Sequence, residues 1–314
     1  MEEKKTATRT SLSQEWLDLN RKVDWMQAPY MAEYVNGLVS GKSLNDGGHW
    51  AIYARDKFVS PLIEITHNNI SMVSLACGSG HIEESLVKDF GWPIKSFLGL
   101  EYDGELRKAA VERFNKIKTC SSNFKFFDFN KEFQVAEQFD IVFTCHSIHH
   151  AADLEKLLNL MNRLLKPGGL IIGIDYFGPT RFQIEYDVYP IIREIFSYLP
   201  EDLRRDLRTP EMKILNDYDY DTIETVKKFD ISESIRSSDL RTLLFSNFPV
   251  IEIKPMGGTI LRWLLANRAG NFRSDNPYHV TIIRLIQYIE RQLIYLNKIK
   301  SDDLFFVLRK SERV

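Results

Sequence analysis

Cysteine is scarce in this chain of 314 residues, with three in all, Cys77, Cys120 and Cys145. Their number is odd and no CxxC pair occurs, which excludes a disulfide framework and a cysteine-rich zinc module. They read as reduced thiols, and the expected location is cytoplasmic. Long apolar runs are also missing. No stretch approaches the roughly 18 residues needed to cross a bilayer, and the N-terminal MEEKKTATRTSLSQEW has no apolar core of a secretory signal. No membrane partner is expected. Neither sign of charge dominates: 41 Lys and Arg stand against 43 Asp and Glu, a net charge of −2. Without a basic stripe there is no electrostatic reason to expect a nucleic-acid partner. Internal repeats and low-complexity segments are absent. What remains is the composition of a globular protein, 44% hydrophobic and 27% charged. The length suits one large domain or a domain with a cap.

Apolar periodicity divides the chain. Residues 12–40 carry apolar positions at mixed helical spacing, among them Trp16, Leu17, Val23, Met31 and Val35, and predict one or two N-terminal helices. His49 to Ile65 predicts another, broken near Pro61. From residue 70 the pattern alternates. Strands are expected at 71–76, 96–100, 123–127, 139–144 and 168–175, with helices at 81–89, 103–117 and 152–165 between them. Lys166-Pro167-Gly168-Gly169 is expected to close the last of these helices and turn into the strand. Alternating strands and helices mean a parallel sheet with right-handed crossovers. The alternation breaks after Asp175. Residues 176–235, with a helix at 187–198, are too long for a simple connection. A helix at 237–246 and a strand at 249–254 resume the sheet. Helices at 259–269 and 277–297 and a strand at 303–310 finish the chain.

Residues 70–103 carry the most chemistry. An apolar strand, ISMVSL, runs into the small-residue loop Ala76-Cys77-Gly78-Ser79-Gly80 and then a helix, HIEESLVKDF. Gly78 and Gly80 have no Cβ, so backbone can bend there and approach a ligand closely. The helix that follows points free N–H groups at whatever sits in the loop. Glu101 lies 21 residues after Gly80, at the tip of the second strand, where an acid accepts hydrogen bonds from ribose hydroxyls. A nicotinamide-dinucleotide fingerprint, GxGxxG, would need glycine three positions after Gly80, and that residue is Glu83.

Four features in order resemble the class I S-adenosylmethionine-dependent methyltransferases, of a small-molecule, natural-product or surface-glycan subgroup. They are the loop in SLACGSG, the second-strand acid Glu101, an acid after the third strand, Asp128 in FKFFDFN, and the stretch FDIVFTCHSIHHAADLEKLLNLMNRLLKPGGLIIGID. The chain departs from the family's first motif at two places. Ser74 stands where the family has an acid and Ala76 where it has its first glycine, and the hydrogen bonds of that acid are left unassigned.

The resemblance implies a doubly wound, Rossmann-like α/β fold whose mostly parallel seven-stranded sheet ends in an antiparallel strand. It implies four regions: an N-terminal helical cap over 1–68, a cofactor-binding half over 69–175, a lid insertion over 176–235, and the rest of the methyltransferase domain over 236–314. The cofactor is S-adenosyl-L-methionine. Ala76, Cys77, Gly78, Ser79 and Gly80 are expected under its amino-acid end. Glu101, with Tyr102 beside it, is expected at the ribose, Asp128 at the adenine amino group, Phe127 or Phe129 against the ring, and the Phe129 backbone at the base. Thr144 and Cys145 follow the fourth strand at the carboxyl end of the sheet, where ligands of open α/β sheets bind. Tyr53 and Arg55 lie in a segment that reaches back over the cofactor in relatives.

Methyl transfer from a sulfonium is an in-line displacement that requires alignment and exclusion of water. A base is needed only where the nucleophile starts protonated, and histidine suits that task near neutral pH. His146 is expected as the substrate-facing base, with His150 as a second candidate. Asp153 is the only carboxylate near HxxHH, so no metal is expected. Tyr176, Arg181 and Tyr186 are expected to bind substrate from the lid. The predicted activity is methyl transfer to a small-molecule acceptor, oxygen before nitrogen or carbon. DNA amino-methylating families carry a Pro-Pro-aromatic turn where this chain has Cys145-His146-Ser147. The other class of reading is a non-catalytic subunit that binds S-adenosylmethionine for a partner enzyme. The broad apolar face of 277–297 leaves both monomer and homodimer open.

Overall fold

Seven strands form one sheet in the computed structural model, which describes residues 23–134, 136–208 and 211–310. In chain order they are β1 (Ile70–Leu75), β2 (Ile94–Glu101), β3 (Ser121–Phe126), β4 (Phe139–Cys145), β5 (Leu165–Tyr176), β6 (Val250–Gly257) and β7 (Asp303–Arg309). They lie side by side as β3-β2-β1-β4-β5-β7-β6. The first five are parallel, and β7 runs antiparallel to β5 and β6. This is the doubly wound, mostly parallel sheet that the alternation predicts.

The central strands are buried on both faces, so their side chains are mostly apolar, with Ser74, Asp140 and Thr144 as buried polar exceptions. Successive residues point to opposite sides. Met72, Phe97, Ile141 and Phe143 face one layer with the N-terminal helices α1 (Met31–Ser40) and α2 (Trp50–Ala54). Val73, Leu98, Val142 and Ile171 face the other, against α6 (Leu154–Leu164) and α9 (Ser237–Asn247). Between these come α3 (Leu62–Ile65), α4 (His81–Lys88) and α5 (Gly104–Phe114), then α7 (Tyr189–Tyr198) and α8 (Ile223–Phe229). The chain closes with α10 (Leu261–Leu265) and α11 (Pro277–Tyr295) ahead of β7. Asp103 caps α5 by accepting from the N–H groups of Glu105 and Leu106 at 2.8 and 2.9 Å.

Three boundaries differ from the sequence reading. Strand β5 starts at Leu165, directly after α6, so Lys166-Pro167-Gly168-Gly169 lies inside the strand, with Gly168 at φ +75°. Helix α10 ends at Leu265 rather than 269, because Arg268 turns inward. Its guanidinium donates to the carbonyls of Leu264 and Trp263 and lies over the rings of Phe196 and Tyr218. The α2 helix passes through a π-turn at Arg55–Val59 before Pro61. Trp16 and Leu17, in the first expected helix, lie outside the described residues. The insertion after β5 shares its core with the rest: Ile192, Phe196 and Leu203 join Leu261 and Leu264 in one cluster.

Candidate active site

At the end of β1 the chain doubles back through a loop with three residues at positive φ: Ala76 (+50°), Gly78 (+57°) and Gly80 (+68°). A Cβ built on Gly78 would meet nothing within 4 Å, so the loop presents bare backbone to open space. One built on Gly80 would lie 3.2 Å from Ala110 of α5, so that glycine serves helix packing. Ser79 gives its carbonyl to Arg113 at 3.1 Å. Burial pushes the Cys77 thiol far above its ordinary range and keeps it protonated. Glu101, buried at the tip of β2, holds the loop in place. One carboxylate oxygen accepts from the Gly78 N–H and the other from the Asp103 N–H, both at 2.7 Å. Each oxygen keeps a further lone pair.

A second carboxylate stands where the first motif lacks one. Ser74, on β1, donates to Oε1 of Glu83 at 2.6 Å. Glu83 sits in the first turn of α4 and is only 3% exposed. Burial pushes its carboxyl up to about 7, against the lowering by the Ser74 hydrogen bond. Among the described residues no donor reaches its Oε2. The sequence reading used Glu83 only to reject a dinucleotide fingerprint. A serine at the acid position with an acid one turn into the next helix was the available signal.

The ends of β4 and β5 carry a hydrogen-bonded knot. Thr144 and Ser147 share a hydroxyl bond at 2.7 Å, and Ser147 donates to the Leu75 carbonyl at 3.0 Å. Asp175 accepts from the N–H groups of Ser147, Ile148 and Tyr176 at 2.8–3.0 Å and pairs with Nδ1 of His149 at 2.5 Å. On its other nitrogen His149 faces Glu233 at 3.4 Å. Burial alone would push the Asp175 carboxyl up, but the charge of His149 and these hydrogen bonds hold it at about 2. Burial would lower His149, and the two carboxylates raise it instead. Ligand atoms of His149, His150 and Glu233 lie within 4.8 Å of one another. The ion pairs on both nitrogens of His149 account for that grouping.

The residues expected at the site separate into two groups. His146 has φ +47°, donates its N–H to Ile174 at 2.8 Å and turns an exposed side chain into a cleft of about 330 Å³. Cys145 shares that wall, its thiol pushed well up by burial. His150 does not line the cleft; its Nδ1 meets Ser232 of the insertion at 3.1 Å. The expected substrate contacts are also drawn elsewhere. Tyr176 is buried and donates to the Pro179 carbonyl at 3.2 Å, Arg181 donates to the Ile231 carbonyl at 2.6 Å, and Tyr186 is 93% exposed. Tyr53 donates to Glu252 at 2.9 Å and Arg55 to the Phe90 carbonyl at 2.8 Å, so neither reaches the glycine loop. Tyr102 stands in solvent against Phe126. Asp128 closes a turn on the Asn130 N–H at 2.9 Å and faces Lys131 at 3.5 Å. Phe129 is half-buried against Phe127.

Sequence reasoning missed most of the cleft wall. Trp25, His49, Trp50, His81, Arg262 and Asp303 line it together with His146. His49 stacks on Phe90 at 4.1 Å, and burial lowers its basicity. Arg262 and Asp303 form a buried ion pair that leaves Nε of the arginine and Oδ1 of the aspartate without partners among the described residues. The guanidinium lies over Trp25, Tyr176 and Phe182, each ring centroid 5.2 Å away. These residues come from five separated segments, so no local motif announces them.

Similarity to known proteins agrees with this geometry in one region. None of the curated proteins matches the chain. Among solved structures, an S-adenosylmethionine-dependent methyltransferase of Mesorhizobium loti is 14% identical, over 83% of this chain and 96% of that one, with a TM-score of 0.44. One from Clostridium acetobutylicum is 20% identical over 43% of this chain and 54% of that one, at a TM-score of 0.32. Another from Aquifex aeolicus is 18% identical over 42% and 70%, at 0.31. Residues 73–171 match the family described as a methyltransferase domain. That stretch runs from within β1 into β5, the half of the sheet that holds the glycine loop and Glu101.

Proposed function

We propose that the chain methylates an oxygen of a small molecule held in the cleft beside His146, with residues 176–235 acting as a lid. The observation that carries this reading is the cleft wall itself: an exposed histidine at the carboxyl end of β4, among aromatic side chains and a buried Arg262–Asp303 pair. S-adenosylmethionine supplies a methyl group already activated on a sulfonium. The residues present fit that cofactor. Gly78 faces open space, Glu101 keeps lone pairs for a diol, and Glu83 has an oxygen without a partner. Residues 76–80, Glu101, Asp128 and Phe129 are the residues proposed to hold it.

His146 takes the proton from the acceptor hydroxyl as the oxygen attacks, and the aromatic wall keeps water out. Arg262 and Asp303 orient a polar group of the acceptor from the cleft wall. Cys145 does not compete as nucleophile, because burial keeps it a thiol. The test is incubation with methyl-labelled S-adenosylmethionine and a pool of phenols, hydroxy acids, amines and DNA, with the label located by mass spectrometry. Label on an oxygen of a small molecule is expected. Label on nitrogen or nucleic acid overturns the acceptor assignment, and S-adenosylhomocysteine binding without any turnover favours the non-catalytic subunit.

A further inference from the structure

Glu83 is a built but incomplete anion. Its Oε1 is fixed by Ser74 at 2.6 Å, and its Oε2 is buried with no donor among the described residues. A buried carboxylate oxygen without a donor is costly unless something supplies one. The neighbours do not. Glu101 on β2, Cys77 in the loop and Cys145 at the end of β4 all feel its charge, and each is an acid or a thiol. Ser74 already donates to the other oxygen. A cationic N–H donor brought by a ligand would complete it. The sulfonium of S-adenosylmethionine is positive but has no hydrogen to donate. Ribose and adenine donate but are neutral. The amino-acid end carries the one aminium.

We propose that Glu83 receives the aminium of the bound cofactor, so that an acid on α4 takes the position left by Ser74 on β1. The inference rests on S-adenosylmethionine as cofactor. The exchange is physically coherent: a serine on the strand leaves room for a longer carboxylate from the helix and supplies the hydrogen bond that orients it. The carboxylate then stands beside the glycine loop, and its charge is felt at Cys145 on the cleft wall.

Isothermal titration calorimetry with two ligands tests the proposal. One is S-adenosylhomocysteine. The other is its deaminated 2-oxo-acid analogue, which keeps the nucleoside, sulfur and carboxylate but has no aminium. Glu83→Gln is expected to weaken S-adenosylhomocysteine by about 10- to 100-fold, the range of a charged hydrogen bond. The analogue should change by less than about twofold. Parallel loss for both ligands, or no loss for either, overturns the aminium assignment alone. Wild-type protein that binds neither overturns the cofactor assignment, and this one with it. Should Glu83→Gln fail to fold, the exchange variant Ser74→Asp/Glu83→Ser decides. It is expected to bind S-adenosylhomocysteine within about tenfold of wild type while still discriminating against the analogue, and loss of that discrimination overturns the proposal. A second readout is the proton balance. Near pH 6, where Glu83 is largely protonated, wild-type binding should release a proton, detected by titration in two buffers of different ionisation enthalpy. Glu83→Gln should release none, and equal release by both variants overturns the proposal.

Discussion

Asp175 and Glu83 are both buried at the carboxyl ends of the sheet, yet their surroundings ionise them oppositely. Asp175 has three backbone N–H donors and the His149 ring, and its carboxyl is held at about 2. Glu83 has one serine, and burial carries it to about 7. Depth does not separate them, since both are enclosed. The number and charge of donors does. One acid is complete within the chain and serves as a strut between β5 and the turn after β4. The other is complete only with a cation from outside. Glu290, on α11, is a third case. It accepts from Tyr34 and from the N–H groups of Gly258, Ile260 and Leu261. Four donors satisfy it, but none is a cation, and burial still pushes its carboxyl up.

The strongest way to break the comparison is Asp175→Ala. It leaves His149 buried with Glu233 as its remaining carboxylate partner, and it frees three N–H groups. A loss of about 3–5 kcal/mol in chemical denaturation near neutral pH is expected. The pH dependence has a defined sign. Because the folded carboxyl lies below its ordinary 3.8, its contribution is present above that pH and lost as pH falls toward about 2. The raised His149 acts the other way. Its contribution is full below 6.5 and fades as pH rises through its folded value. The gap between wild type and variant should therefore close on the acid side. A constant gap from pH 7 to pH 2 would mean that Asp175 acts through packing alone.

His146→Ala sharpens the same contrast from the other side of the turn. The side chain is exposed and no described residue bonds it, so folding stability should stay within about 0.5 kcal/mol of wild type. Turnover should fall by about 10²- to 10⁴-fold, the range for a removed general base. S-adenosylhomocysteine affinity should stay within about twofold, since the base does not hold the cofactor. A fully active variant would move the base to His49 or His81, which share the wall.

The mostly parallel sheet, the glycine loop and the place of Glu101 at the tip of β2 were legible because each is local: an apolar run, a small-residue bend, an acid at a fixed distance. Arg262, Asp303, Trp25 and His49 were not, because their convergence depends on how β6, β7 and the N-terminal segment fold back over β4. Tyr53, Arg55, Tyr176 and Arg181 have partners that were not legible for a related reason. Each is an amphipathic or aromatic side chain near the right strand end, and the nearest strong partner took it: Glu252, the Phe90 carbonyl, the Pro179 carbonyl and the Ile231 carbonyl. Ser74 was visible as a departure. Its compensation at Glu83 was not, because pairing positions 74 and 83 requires knowing that β1 and the first turn of α4 face each other.

Glu101→Ala tests how far the loop depends on an acid from the next strand. It removes a carboxylate that bridges Gly78 and Asp103. S-adenosylhomocysteine affinity measured by calorimetry should fall by ~1–3 kcal/mol. The loss should exceed the loss for adenine alone, which has no diol. Equal losses for both ligands would assign Glu101 to the loop's shape and take the ribose away from it.

The smallest effect belongs to Ala76. Its φ of +50° places an L-residue with a Cβ in the left-handed region, which disfavours every side chain but glycine. Gly78 and Gly80 occupy that region freely, so the loop is strained at its first bend and relaxed at the other two. Ala76→Gly removes the strain in the folded state and loosens the unfolded chain, two terms of similar size and opposite sign. Left-handed strain costs roughly 1–2 kcal/mol, and the added freedom of glycine costs roughly 0.4–1 kcal/mol. A net gain of roughly 0–1.6 kcal/mol in denaturant unfolding follows from the difference. A net loss would show that the alanine methyl makes packing contacts worth more than the strain it imposes.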